Sequence, residues 1–226
     1  MSLRKKSFVG CFVLIAMSLV ILSSGCGKEP EGDNDAKFYP TQKPSAVAGE
    51  QIYVSECSKC HGENGAGDGE KAADLPEKPK AFTDLAFMRR ETPEKFYEAI
   101  LEGKEGMPGY EKKLNEKQRW DVLFYVWSLG TTKTQIDEGK NTYFEYCKGC
   151  HGEKGDGEGT AKRSLAKKLQ DFTDPRFMMN EDSDQFFSMV TQGKKAMPAF
   201  FKKLTADQRW DVINYIWTFV YTPTNN

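Results

Sequence analysis

Histidine is nearly absent, with two residues in a chain of 226. A Cys₂His₂ zinc site needs two free histidines per ion, so that chemistry is excluded. Positive charge is not in excess either. Lys and Arg number 32 against 33 Asp and Glu. Removing residues 1–25, which hold Arg4, Lys5 and Lys6 and no acid, leaves 32 − 3 = 29 against 33, a net charge of −4. Such a chain offers no basic face to nucleic acid. Apolar runs of the roughly 20 residues that a membrane span needs are missing; the longest, Phe8 to Leu22, has 15. Strand-like alternation bounded by hairpin turns is missing as well, which argues against a sandwich or a barrel. What remains is a chain with 12 % aromatic and 38 % hydrophobic residues, rich enough for a folded core.

The N-terminus reads as a targeting segment over residues 1–25. Arg4, Lys5 and Lys6 form a basic start, Phe8 to Leu22 an apolar core, and Ser23-Ser24-Gly25 a small-residue site before Cys26. These small residues resemble a bacterial lipoprotein box, which makes Cys26 the expected lipid attachment. Ser23 stands where that box has a large apolar residue. Cleavage by ordinary signal peptidase, leaving a soluble form, and an uncleaved anchor are the alternatives. All three place the chain on the exported side of a membrane. Residues 26–46 read as a tether or linker. The stretch is polar, with Pro30, Pro40 and Pro44, and lacks apolar periodicity. Phe38 and Tyr39 are the residues that would dock it if it were ordered.

Of six cysteines, Cys11 falls in the apolar run and Cys26 at the cut, which leaves two pairs. From residue 49 the chain repeats at a spacing of 90. Residues 49–129 align on 139–219 without a gap, with 33 identities in 81 positions. A period of that size means a duplicated domain, here 47–130 and 137–222. Each copy reads as helical. A first helix covers 47–58 and 137–148, and a second 92–102 and 182–192. A third opens on Thr205 and Gln208, a capping box, with a weaker form at Asn115 and Gln118. Trp120, Leu123, Phe124 and Trp127 line one face of it, and Gly130 is its expected end.

The pairs are Cys57-x-x-Cys60-His61 and Cys147-x-x-Cys150-His151, the attachment motif of c-type haem. Two thiols on one turn reach the two vinyl groups of a macrocycle, and the next residue falls beneath the iron. A zinc ribbon would need its CxxC pairs roughly 15–20 residues apart, and Cys60 lies far from Cys147. The expected cofactors are therefore two haem c. With no other histidine, the sixth ligand must come from elsewhere. Met107-Pro108 and Met197-Pro198 stand at the same place in both copies, in loops containing glycine or proline, and are the expected iron ligands with His61 and His151. Met88 and Met178 also repeat and read as core residues; an open site is the third alternative. Trp120 and Trp210 have two readings, as core and as donors to haem propionates. The glycine-rich stretches 62–69 and 152–159 lack the acidic spacing of a calcium loop and read as close backbone turns.

These residues together resemble the class I cytochromes c, over about 47–220. The final Arg-Trp-Asp-Val helix fits bacterial members. The resemblance implies an all-α fold of two tandem domains, each wrapped around one covalent haem. The first and last helices would cross near Gly49, Tyr53 and Tyr125, and near Gly139, Tyr143 and Tyr215. It also implies an electron carrier without catalytic residues, similar to periplasmic di-haem cytochromes that serve protein redox partners. No small-molecule substrate is expected. A subunit of a larger membrane-associated oxidoreductase is the alternative, and a di-haem peroxidase or haem sensor the remote one. The two methionine loops differ, Gly106, Gly109 and Tyr110 against Ala196, Ala199 and Phe200, which predicts unequal haem potentials.

Overall fold

A computed structural model describes residues 36–164 and 169–224. The targeting segment, Cys26 and the first part of the tether lie outside the described residues. Each copy forms a helical lobe. The first holds α1 (Ala46–Glu56), α2 (Ser58–His61), α3 (Leu85–Met88), α4 (Pro93–Glu102) and α5 (Glu116–Ser128). The second repeats them as α6 (Lys133–Tyr146), α7 (Lys148–His151), α8 (Pro175–Met178), α9 (Ser183–Gln192) and α10 (Ala206–Trp217). Among the described residues, strand is confined to a ladder of β1 (Gly103–Lys104) with β2 (Met107–Pro108) and two isolated bridges.

Helix starts follow the local chemistry. Asn115 and Thr205 cap α5 and α10 as full capping boxes. Thr132 and Gln135 make a third box and start α6 at Lys133, four residues before the expected 137. Helix α5 ends at Ser128 with Leu129 as its cap, so Gly130 is not its terminator. A Cβ at Gly130 would lie 2.7 Å from Leu85, and close approach is what requires glycine there.

Within each lobe the first and last helices cross at a glycine. A Cβ on Gly49 would lie 2.0 Å from the Asp121 carbonyl oxygen, and one on Gly139 would lie 1.9 Å from that of Asp211. Tyr53 and Tyr125 (ring centroids 5.1 Å apart), and Tyr143 and Tyr215 (5.4 Å), pack beside the crossings. On the apolar face of α5, Trp120, Leu123 and Phe124 are buried and Trp127 is half-buried; Leu123 and Phe124 are fully covered, each worth roughly 1.5–3 kcal/mol of transfer free energy.

The lobes meet reciprocally. The Glu94 amide donates to the Met179 carbonyl (3.0 Å) and the Asp184 amide to that of Arg89 (2.9 Å). Moving each member of the first pair to its counterpart in the other lobe, Glu94 to Asp184 and Met179 to Arg89, gives the second pair. The lobes are therefore related by an approximate two-fold axis, the isologous arrangement of a symmetric dimer. Trp127 and its own counterpart Trp217 touch edge to face across it, 5.1 Å between centroids.

Residues 36–45, read from the sequence as part of a linker, lie across both lobes. The Ala36 amide donates to the Arg176 carbonyl and the Phe38 amide to Glu94 Oε1. Phe38 packs on Tyr97 at 5.4 Å. Thr41 donates to Glu116, and the Thr222 amide closes on the Pro44 carbonyl. Backbone groups matched one by one, together with one aromatic anchor, order a segment that has no periodicity of its own.

Gly49→Ala and Gly139→Ala are each expected to lower unfolding free energy by about 1–3 kcal/mol, the usual cost of overpacking, or more if the helices cannot separate. Denaturant titration checks this, and an unchanged midpoint would refute the close crossing.

Candidate haem-binding sites

Helix α1 runs into Cys57, where the backbone (φ −112°, ψ −37°) kinks into the single turn α2. The Cys57 carbonyl accepts from the amides of Cys60 (3.1 Å) and His61 (2.9 Å). Both cysteines and the histidine therefore share one turn. Cys147, Cys150 and His151 repeat this with the same two bonds, 3.1 and 2.9 Å. The turn is held from behind by the helix crossing. Tyr53 and Tyr143 are fully buried there, and each hydroxyl donates 2.7 Å to the carbonyl of the glycine after the histidine, Gly62 or Gly152. Burial pushes both phenols well above their usual range.

Those glycines are left-handed, with φ of +80° and +82°, and a Cβ on either would strike Asp68 or Asp156. The loop then folds back over the turn. Gly67 and Gly69 donate to the His61 and Cys60 carbonyls, and Gly157 and Gly159 do the same in the second lobe. The glycine-rich stretches thus wrap the attachment turn. No cluster of three or more His, Cys, Asp or Glu able to hold a metal ion occurs among the described residues.

The four thiols are not joined to one another. Burial pushes Cys57 and Cys147 up to about 12. A redox dithiol or a thiolate metal site needs the opposite shift. Burial likewise lowers the proton affinity of His61 and His151. For His61 the Lys80 carbonyl partly opposes this, although its placement completes no hydrogen bond. Both shifts favour the neutral imidazole, the form that can ligate a metal. Nδ1 of each is buried without a hydrogen-bond partner. Around them the surface is apolar. His61 stacks on Phe82 (4.7 Å) and His151 on Phe172 (5.0 Å), with interplanar angles of 18° and 19°. A half-buried imidazole whose neutral form is favoured, two adjacent thiols and an aromatic wall fit a covalently attached, flat apolar macrocycle.

Met107 sits on β2, paired with Lys104 across a hairpin whose turn holds Glu105 and Gly106 at positive φ. Met197 pairs with Lys194 in the same way, with Lys195 at positive φ. Both methionines are half-buried against the core. Met88 and Met178 are buried in it, 8 % and 0 % exposed. The Tyr110 hydroxyl ties the first hairpin to the Glu56 carbonyl at the end of α1 (3.0 Å), and burial pushes its pKa up to about 12. Phe200 has no hydroxyl to do so and packs on Tyr146 instead.

Trp120 stacks on Tyr97, 4.1 Å apart. Trp210 lies between Phe187 (4.1 Å) and, from the other lobe, the Arg89 guanidinium (3.6 Å). These stacks account for both rings without a propionate. Arg119 and Arg209 bond to Tyr97 and Thr191. The sequence reading missed Phe82 and Phe172 as neighbours of the histidines, although both recur in the repeat. It also missed Trp127 and Trp217 as the lobe contact.

Two lobes of this kind, each presenting Cys-x-x-Cys-His on a half-buried turn, define a cytochrome c with two covalently bound haems, a carrier of electrons rather than an enzyme. The model of the family "cytochrome C oxidase, cbb3-type, subunit III" matches residues 44–126 and again 134–216, and the chain belongs to that family. The cbb3-type cytochrome c oxidase subunit FixP of Bradyrhizobium diazoefficiens is 33 % identical over 96 residues, 42 % of this chain. The match spans 31 % of that relative's length. Among solved structures, a reducing HAO-like protein complex of Kuenenia stuttgartiensis is similar over 81 % of this chain and 99 % of its own, with 26 % identity and a TM-score of 0.36. Cytochrome cL of Methylophaga aminisulfidivorans is similar over 41 % of this chain and 59 % of its own, with 19 % identity and a TM-score of 0.33.

Replacing Cys57 and Cys60 together by alanine is expected to halve the covalently bound haem per chain, as is the same change at Cys147 and Cys150. Intact mass and haem stoichiometry read this directly. Two haems retained in either variant would overturn the assignment of the turns.

Proposed function

We propose that the chain shuttles single electrons between protein redox partners on the exported side of a bacterial membrane, with His61 and Met107 on one iron and His151 and Met197 on the other. The observation that carries this is the matched hairpin. In both lobes a half-buried methionine sits opposite a lysine on a tight turn with a residue at positive φ, while the rival pair is packed in the core. When bound, the haem supplies the one-electron couple. A thioether ligand favours the ferrous state and raises the potential. An iron held on both sides leaves no position for oxygen or peroxide, which weighs against a peroxidase or sensor.

Export is supported by the basic, apolar and small-residue pattern over 1–25, and Cys26 is the proposed lipid anchor. Among the described residues no helix is long and apolar enough to cross a membrane. The family name favours a second reading, in which the chain is the electron-transfer subunit of a larger membrane-associated oxidoreductase. Purification under mild conditions distinguishes the two, since a subunit brings stoichiometric partners with it.

A potentiometric titration followed by visible spectroscopy tests the ligation. Two low-spin haems with the far-red sulfur-to-ferric-iron band are expected. Met107→Leu should halve that band and lower one midpoint by on the order of 0.1 V or more. The same loss from Met88→Leu with none from Met107→Leu would overturn the ligand choice.

A further inference from the structure

The two histidines are joined by an unbroken series of aromatic contacts. His61 stacks on Phe82 at 4.7 Å, Phe82 meets Phe96 at 6.0 Å, and Phe96 meets Trp127 edge to face at 5.9 Å. Trp127 meets Trp217 across the lobe contact at 5.1 Å. The second lobe returns the series: Trp217 to Phe186 at 5.7 Å, Phe186 to Phe172 at 6.1 Å, Phe172 to His151 at 5.0 Å. Every link has its counterpart 90 residues away, and among the ring contacts of the described residues the middle link alone joins a residue to its own counterpart.

We propose that Trp127 and Trp217 form the electronic bridge between the two haems, so that electrons cross the molecule ring to ring. The proposal rests on the reading of His61 and His151 as iron ligands. In the step one electron leaves the ferrous haem of one lobe, which becomes ferric, and reaches the ferric haem of the other, which becomes ferrous. No bond forms or breaks and no proton moves.

The physical argument is distance. Electronic coupling decays steeply across saturated packing and more gently where π-systems touch. The backbone joining His61 to His151 is 90 residues long, so only through-space contacts make a short route. The interface has other close contacts, but they do not connect the sites. Arg89 on Trp210 is a stack outside the series, and Phe124 with Tyr221 (4.7 Å) joins α5 to the C-terminal segment. The Trp217 ring is fixed: its indole N–H donates 2.9 Å to the Ser183 hydroxyl and it is 1 % exposed, while the half-buried Trp127 packs between Phe96 and Trp217. A packed ring with a fixed partner keeps the edge-to-face geometry.

The test injects less than one electron per molecule into the fully oxidised holoprotein by pulse radiolysis. It then follows re-equilibration between the haems as a process independent of protein concentration. Trp127→Leu and Trp217→Leu are each expected to slow it roughly tenfold or more. Trp127→Phe, which leaves a smaller ring in the same place, should retain a rate above that of the leucine variant. Arg89→Met, which removes a cross-lobe stack outside the series, should leave the rate unchanged. Far-UV circular dichroism during unfolding supplies the second readout, a single transition showing that the lobes remain docked. Equal rates in the leucine, phenylalanine and unmodified proteins, with one transition, overturn the bridge. Should the leucine variants unfold in two steps, Phe96→Leu decides, because Phe96 packs within one lobe: a similar slowing sustains the proposal and an unchanged rate overturns it. A failure of the histidine reading looks different, since the unmodified protein would then already show a high-spin haem.

Discussion

At Gly49 and Gly139 the first helix of a lobe lies against the carbonyls of Asp121 and Asp211, closer than any side chain would permit. That contact sets the height of the helix one turn later, where Tyr53 or Tyr143 enters the crossing and reaches the carbonyl after the histidine. The attachment turn is therefore held by a backbone-to-backbone contact, one buried hydroxyl and a glycine loop folded over it. A rigid macrocycle bonded at three points tolerates little movement among them. The stiffness of the crossing is what three attachments on a single turn require.

Much of this was legible in the sequence, because it depends on local spacing. Two thiols and a histidine on one turn need no tertiary information, and neither do the capping pairs of α5 and α10. The glycine of the crossing is read through resemblance, and the geometry supplies its reason. What was not legible depends on which surfaces meet. A repeat of 90 says that two copies exist and does not say which faces they share, so Trp127 read as one more apolar position on α5. The arm at 36–45 has no periodicity, since its order comes from bonds to Glu94, Glu116, Arg176 and Thr222, far away in the chain. The early start of α6 was hidden because its first turn, Lys133-Thr134-Gln135, is polar and carries no apolar phase; only the Thr132 and Gln135 pair announces it.

The lobes share a frame and differ in what they place around it. Lys117 pairs with the buried Asp121 in the first lobe. Asp207 occupies the equivalent place in the second, and burial, Asp207 and Glu138 all raise the pKa of Asp211. Tyr110 anchors one methionine hairpin to α1, whereas Phe200 packs against Tyr146. Each difference alters the charge or the stiffness around one site alone.

The reciprocal bonds between Glu94 and Met179, and between Asp184 and Arg89, are those that two identical chains would make on pairing. In such a pair every substitution strikes both halves at once, so the halves stay energetically equivalent and an electron has no preferred side. A peptide link between the halves removes that restriction. It keeps the mating surface, replaces a concentration-dependent encounter by permanent proximity, and lets one half change while the other stands still. Arg89 stacks on Trp210, whereas the counterpart position in the second lobe holds Met179, and this records one such independent change. Covalent fusion thus turns a symmetric wire into one that can acquire a direction.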